Sequence, residues 1–212
     1  MAVIFFDYDG VMVDSLSTEY AYFKEACQGV GVEAPRDAAD MARLSEGNFY
    51  ENFRERGISS EDIAAVMKVY AEIKNDGRYR TVPFEEIFSL LKKVCCRFPV
   101  YIVTSNVSAT VEARLMEFAV EGVRDVLGAD KETSKIKKLH SIMAQYPGER
   151  TVFIGDTKGD MLEAAAAGVD VRLGVTWGWH RPEVVKSGDP DYLFDEKDCF
   201  VAWFEGFMDG AE

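Results

Sequence analysis

Val3-Ile4-Phe5-Phe6-Asp7-Tyr8-Asp9-Gly10 places four consecutive apolar residues ahead of two carboxylates and a glycine. A short, continuous apolar run reads as a strand buried on both faces, since a half-exposed strand would alternate. Strands of that kind belong to parallel sheets covered by helices on both sides. In such sheets ligands bind just beyond the carboxyl ends of the strands, where Asp7 and Asp9 fall. Taken alone, Asp7 and Asp9 could be a surface turn, because Asp and Gly are common turn formers.

Further along, Val100 to Val103, Thr151 to Ile154 and Val169 to Leu173 repeat the pattern, with a weaker run at Tyr192 to Phe194. Helical patterns lie between them. Val111, Leu115 and Phe118 share one face, and Ile136, Leu139 and Ile142 share another. This alternation predicts an α/β fold, a doubly wound, Rossmann-like parallel sheet core. Residues 15–82 contain no convincing strand. Tyr20, Phe23 and Cys27 recur at helical spacing, as do Ile63, Val66, Met67, Tyr70 and Ile73, with Ser59 or Ser60 as a cap. The expected organisation is a core of residues 1–14 and 83–212 with an inserted α-helical cap domain at 15–82. Pro83 opens a predicted helix from Phe84 to Phe98, Pro99 ends it, and a terminal helix is expected from about Cys199 to Met208.

The 212 residues are 48% hydrophobic and 29% charged, ordinary values for a chain that buries a core. A net charge of −13 repels nucleic acid and anionic membranes, so neither is expected as a partner. No apolar run is long enough to span a bilayer, and no basic start precedes Ala2-Val3-Ile4, so a secretory signal is not expected. Cys27, Cys95, Cys96 and Cys199 form no CxxC pair, which suits reduced, buried thiols in a cytoplasmic protein. The two histidines, His140 and His180, lie in no HExxH pattern, which excludes a histidine-rich metal site and disfavours a histidine-based triad. Both a monomer and a homodimer remain open.

Three predicted strands end in unusual polar turns: Asp7-Tyr8-Asp9-Gly10, Thr104-Ser105-Asn106, and Asp156-Thr157-Lys158-Gly159-Asp160. If those strands are neighbours, four carboxylates share one crevice and cannot all stay ionised unaided. A hard divalent cation, Mg2+, resolves the conflict, because it takes one or two carboxylates together with a substrate phosphate. Asp7 can then attack phosphorus, and Asp9 can carry the proton to the leaving oxygen and later take one from water. Thr104, Ser105 and Asn106 with their backbone N–H groups suit the phosphate oxygens, and a lysine offsets charge in the transition state. As a plainer reading, Asp156 and Asp160 cap a helix, Thr104 does the same, and Lys135 with Lys137 and Lys138 forms a solvated face.

These motifs together resemble the haloacid dehalogenase superfamily, in its phosphoglycolate phosphatase-like branch with a helical cap. The resemblance covers essentially the whole chain. Asp7-Tyr8-Asp9-Gly10-Val11 with Asp14-Ser15, Thr104, Lys135, and Gly155-Asp156 with Asp160 look like the four motifs in order. It implies Asp7 as nucleophile and metal ligand, and Asp9 as acid/base and carbonyl ligand. It also implies Asp156 as metal ligand and Asp160 as its support through water or a hydrogen bond. Gly174-Val175-Thr176-Trp177-Gly178 resembles a segment common in that branch, whereas Trp177, Trp179 and His180 read as packing and loop residues. The expected activity is phosphatase action on a small phosphate ester. Tyr8 stands where Leu or Phe is usual, which bears on packing. The usual Lys-Pro is missing, so Lys131 rivals Lys135. Pro83-Phe84 replaces a Pro-Gly. In the cap, Glu46 and Gly47, with Arg43 and Asn48, lie where related caps carry a substrate loop. Because Asp9 is present, carbon–halogen hydrolysis is set aside. A sugar phosphomutase and a phosphoryl-binding switch without turnover are the alternatives, the large insertion arguing for an enzyme over a switch.

Overall fold

The computed structural model describes residues 2–46, 49–74 and 78–210. The chain begins with strands β1 (Ala2–Phe6) and β2 (Val13–Asp14). Helices α1 (Leu16–Val30), α2 (Ala38–Leu44), α3 (Phe49–Glu55) and α4 (Ser60–Lys74) follow, then strand β3 (Val82–Pro83). Next come α5 (Glu85–Cys95), β4 (Val100–Val103), α6 (Ser108–Glu117), β5 (Val123–Leu127), α7 (Lys135–Met143) and β6 (Arg150–Gly155). The remainder is α8 (Lys158–Ala167), β7 (Val171–Val175), α9 (Pro182–Lys186), β8 (Tyr192–Phe194) and α10 (Lys197–Met208). The chain divides into two compact units, Asp14–Val82 and the residues on either side of it.

The larger unit is built on a six-stranded sheet in the order β5-β4-β1-β6-β7-β8. All its pairings are parallel. Why the strands are apolar throughout is visible in β1. Ala2, Ile4 and Phe6 enter one core cluster, while Val3 and Phe5 enter a second on the other face. Side chains alternate across a strand, so a sheet buried twice needs apolar residues at every position. Helices α5, α6 and α10 cover the first face through Ile87, Leu91, Val111, Leu115, Phe200 and Phe204. The second face is covered by α7, α8 and α9 through Leu139, Ile142, Met161, Ala164 and Val185. Each large apolar side chain buried this way contributes about 1.5–3 kcal/mol.

In the helical unit, Phe23 of α1 meets the rings of Phe49, Phe53 and Tyr70. Glu19 is buried and pairs with Lys74 at 2.7 Å. Ser59 caps α4, accepting from the Asp62 N–H at 3.0 Å. No helix among the described residues is long and apolar enough to cross a membrane.

Several expectations need correction. Strand β5 has no counterpart in the sequence reading, because Arg124 and Asp125 interrupt it and much of this edge strand is exposed. Strand β7 lies two residues later than Val169 to Leu173, running through Gly174. A Cβ at Gly174 would come within 2.9 Å of Val185 and 3.0 Å of Leu193, so close packing explains this glycine inside a strand. Helix α5 spans Glu85–Cys95, not Phe84 to Phe98: Phe84 is its N-cap, with its N–H on the Met12 carbonyl, and residues 96–98 form a turn. Val82, inside the segment read as strandless, belongs to β3. The terminal helix starts two residues earlier, at Lys197. Of the four thiols only Cys27 is buried; Cys96 and Cys199 are exposed and Cys95 is partly so.

Candidate active site

The chain leaves β1 in one direction across the sheet, through β4 to β5, and in the other through β6, β7 and β8. A crevice opens at the carboxyl end of such a switch point. The strands flanking it end level, since Phe6 is in register with both Ile102 and Ile154. Asp7, Thr104 and Asp156 are the first residues beyond these three neighbouring strands.

The carboxylates of Asp7, Asp156 and Asp160 lie within 4.8 Å of one another, and all three side chains are buried. Lys135, the first residue of α7, is buried with them. Its Nζ donates to Asp7 Oδ2 at 2.8 Å and also to Asp160 Oδ1. Asp7 Oδ1 accepts from the Tyr8 N–H at 2.8 Å, which fixes the second oxygen. Asp160 is placed by a capping box at the start of α8. Thr157 Oγ1 accepts from the Asp160 N–H, while Asp160 Oδ2 accepts from the Thr157 N–H at 3.1 Å. Asp160 thus caps a helix and holds Lys135 at once.

Charge is short on one side. Burial raises the Asp7 carboxyl to about 7, with Lys135 pulling it down and Asp160 adding to the rise. Burial also raises Asp156 well above the usual carboxylate range, and Asp160 and Asp7 push it further. Burial opposes the charged form of Asp160 too, but the ion pair with Lys135 wins and holds that carboxyl low. For Lys135 burial works against the ammonium, yet Asp160 and Asp7 outweigh it and raise its pKa. Of the three carboxylates, Asp7 and Asp160 pair with the Lys135 ammonium and Asp156 does not. Among the described residues, Asp156 Oδ1 and Asp9 Oδ1 are buried oxygens with no hydrogen-bond partner. An orphaned buried carboxylate oxygen is costly unless a cation or a proton completes it. The donor set, all oxygen and strongly anionic, fits a hard divalent cation.

Across the crevice, the Asn106 side chain donates to Asp9 Oδ2 at 3.0 Å, and its own N–H donates to Thr104 Oγ1 at 3.0 Å. Asp9, Thr104 and Asn106 therefore form one hydrogen-bonded chain beside the buried trio. On the far side, the loop after β7 closes on Asp156. The Trp179 N–H donates to Asp156 Oδ2 at 2.7 Å. Cβ atoms at Gly10 and Gly178 would lie 1.9 and 2.2 Å from that same oxygen, so a side chain at either place would displace the carboxylate. Gly10 also carries a φ of +76°, turning the chain back toward Val13, whose carbonyl accepts the Gly10 N–H at 2.9 Å.

Of the expected residues, Asp7, Asp9, Thr104, Asn106, Lys135, Asp156 and Asp160 converge here. Ser105 is exposed at the same strand end. Lys131 instead pairs with Asp125 at 2.7 Å and is 42% exposed, far from the role of its rival. Glu46 lies in the helical unit, beside an open cavity of about 480 Å³ shared with Arg43, Asn52, Glu55 and Arg56. Gly47 and Asn48 lie outside the described residues. Two contributors were not foreseen. The Gly178-Trp179 backbone carries no side-chain signature; a glycine between two tryptophans just past a strand end was the available sign. Lys138, read as part of a solvated face, is 1% exposed. It shares a helix face with Lys135, three residues earlier, and that spacing was the cue.

A family model described as haloacid dehalogenase-like hydrolase matches residues 4–173. A phosphoglycolate phosphatase from Synechococcus elongatus is 26% identical over 199 residues, which is 92% of this chain and 93% of that protein. The tyrosine-protein kinase PtkA of Mycobacterium tuberculosis is 27% identical over 191 residues, covering 86% of this chain and 65% of the kinase. Among solved structures, a haloacid dehalogenase-like family hydrolase from Streptococcus pneumoniae is similar, with a TM-score of 0.80 and 26% identity over 95% of this chain and 97% of that one.

Proposed function

The chain belongs to the haloacid dehalogenase-like hydrolase family and is a phosphatase of it, and from that premise we propose that it cleaves a small phosphate monoester through a covalent phosphoryl group on Asp7. An Asp7 carboxylate oxygen attacks phosphorus, and the ester oxygen leaves with a proton from Asp9. Asp9 then takes a proton from water, whose oxygen attacks the same phosphorus. The bond to Asp7 breaks, freeing inorganic phosphate and the carboxylate. Asn106 aims Asp9 through its amide, and the Tyr8 N–H and Lys135 hold the two oxygens of Asp7. Thr104, Ser105 and Asn106 take the non-bridging phosphoryl oxygens, and Lys135 offsets charge as it builds.

Asp7, Asp156 and the Asp9 main-chain carbonyl would hold Mg2+, with Asp160 behind them. When bound, the cation neutralises phosphoryl oxygens and lets these carboxylates stay ionised together. The observation that carries the reading is the buried trio of Asp7, Asp156 and Asp160, in which Lys135 pairs with Asp7 and Asp160 while Asp156 Oδ1 has no hydrogen-bond partner among the described residues. The Synechococcus relative named phosphoglycolate phosphatase makes phosphoglycolate the first ester to try, and the acidic chain with unpaired thiols suits the cytoplasm. The test is phosphate release from a panel of monoesters in magnesium, with chelator as the control. Activity that is lost in chelator and returns with magnesium is expected. Undiminished turnover by Asp7→Asn would sink the mechanism, and an isomerised sugar phosphate without free phosphate would make the enzyme a mutase.

A further inference from the structure

Of the two buried lysines among the described residues, Lys138 is the one to which the reaction above gives no task. It sits one turn after Lys135 on α7 and is 1% exposed, whereas Lys137 between them is exposed. Its Nζ donates to the Thr104 main-chain carbonyl at 2.8 Å. Burying an ammonium is expensive, and one carbonyl does not offset the water that its three donors give up. An apolar side chain would fill this place at lower cost. Stability alone is therefore a poor reason for a lysine here.

Its partner supplies a better one. The Thr104 N–H is already held by the Leu127 carbonyl of β5 at 3.2 Å. With Lys138 on the Thr104 carbonyl, both sides of this residue's backbone are tied down. A peptide unit is planar, and no cis bond occurs among the described residues. Fixing the Thr104 carbonyl toward α7 therefore turns the Ser105 N–H the opposite way, out of the strand end. Thr104 Oγ1 also receives the Asn106 N–H, and Asn106 in turn holds Asp9. One buried ammonium sets the plane from which the phosphate-facing turn is built.

We propose that Lys138 is a positioning residue for phosphoryl binding: it orients the Thr104–Ser105 peptide and adds a second buried positive charge behind the phosphate. This rests on the phosphatase reading above. The groups it orients meet phosphoryl oxygens in the ground state and the transition state alike. Its loss should therefore weaken binding of both, which raises KM and leaves kcat nearly unchanged.

The test uses the full chain in magnesium buffer, with inorganic phosphate as the probe, titrated by calorimetry alongside steady-state kinetics. Lys138→Met keeps the stem and removes the donor and the charge. It should bind phosphate about tenfold more weakly, about 1.4 kcal/mol, with KM rising in parallel and kcat within about threefold of wild type. Its melting temperature should not fall, because no ammonium is buried. Lys138→Gln, whose amide can still reach toward the Thr104 carbonyl, should recover part of the loss. A folded Met variant with wild-type phosphate affinity overturns the proposal. So does failure of both variants to fold, which would make the lysine structural. If wild type itself neither binds phosphate nor releases it from any monoester, the phosphatase reading fails first, and that result is distinct from the others.

Discussion

Asp156 depends on what its neighbours lack. Gly10 and Gly178 approach the same carboxylate oxygen from different loops, and Trp179 offers it a backbone N–H. Gly178→Ala would put a methyl group 2.2 Å from Asp156 Oδ2, so the carboxylate must move. Groups that orient a metal ligand typically change affinity 10–100-fold when disturbed. The magnesium concentration for half-maximal activity should therefore rise about 10–100-fold in this variant, and excess magnesium should restore most of the rate. An unchanged half-saturation would show that the cation does not lean on Asp156. For Asp9→Asn, kcat should fall about 10²–10⁴-fold, the usual worth of a placed acid or base; steady-state rates on the best monoester check this, and a loss below tenfold would remove Asp9 from the proton path. The side chains at the ends of β1, β4 and β6 were legible in the sequence because polar residues after a fully apolar run are conspicuous. Gly178, the Trp179 N–H and Lys138 were not. A backbone donor leaves no mark on residue type, and a buried lysine is spelled like a solvated one.

At the scale of elements, legibility followed burial. Strands β1, β4 and β6 carry apolar residues on both faces and announce themselves. Edge strand β5 forms because the Val100–Val103 strand beside it leaves hydrogen bonds to fill, a tertiary cause that local pattern does not encode. The sequence places the end of α5 too late because Phe98 and Pro99 look like the last turn and its stop, whereas the chain leaves the helix at Cys95. The start of α2 shows a device the sequence pattern did not disclose. Asp40, 5% exposed, takes Arg56 at 2.8 Å, Arg43 at 3.1 Å and Arg36 at 3.5 Å. The Arg56 guanidinium leads in holding its carboxyl well below the usual range, against the opposing effect of burial. A carboxyl depressed in the folded state stabilises above its unfolded pKa, ordinarily near 3.8, and that contribution is lost as pH falls through the folded value. The helical unit should therefore lose stability below about pH 4. Asp40→Asn should remove about 2–3 kcal/mol at neutral pH, and its stability should depend less on pH in the acid range. Urea denaturation at pH 7 and pH 3 measures both, and parallel pH profiles for the two proteins would refute the assignment.

For the whole molecule, the decisive imbalance is electrostatic. The chain carries −13 overall and still gathers three buried carboxylates, two of them paired with Lys135. A cation that binds only the folded state stabilises it by mass action, about 2.7 kcal/mol at a hundred times its Kd. Magnesium without substrate should therefore raise the melting temperature, and chelator should reverse the rise. A midpoint indifferent to magnesium in thermal-shift measurements would argue against a cation among Asp7, Asp156 and Asp160. The same imbalance frames the central claim, that Asp7 carries the phosphoryl group between donor and water. Its most direct test is mass spectrometry of the intact protein, quenched in acid during turnover of its best monoester and then digested. The account predicts a mass gain of one phosphoryl group on the peptide bearing Asp7, absent from Asp7→Asn. A phosphoryl group on any other residue, or full turnover with no protein-bound phosphoryl group at any quench time, would contradict it.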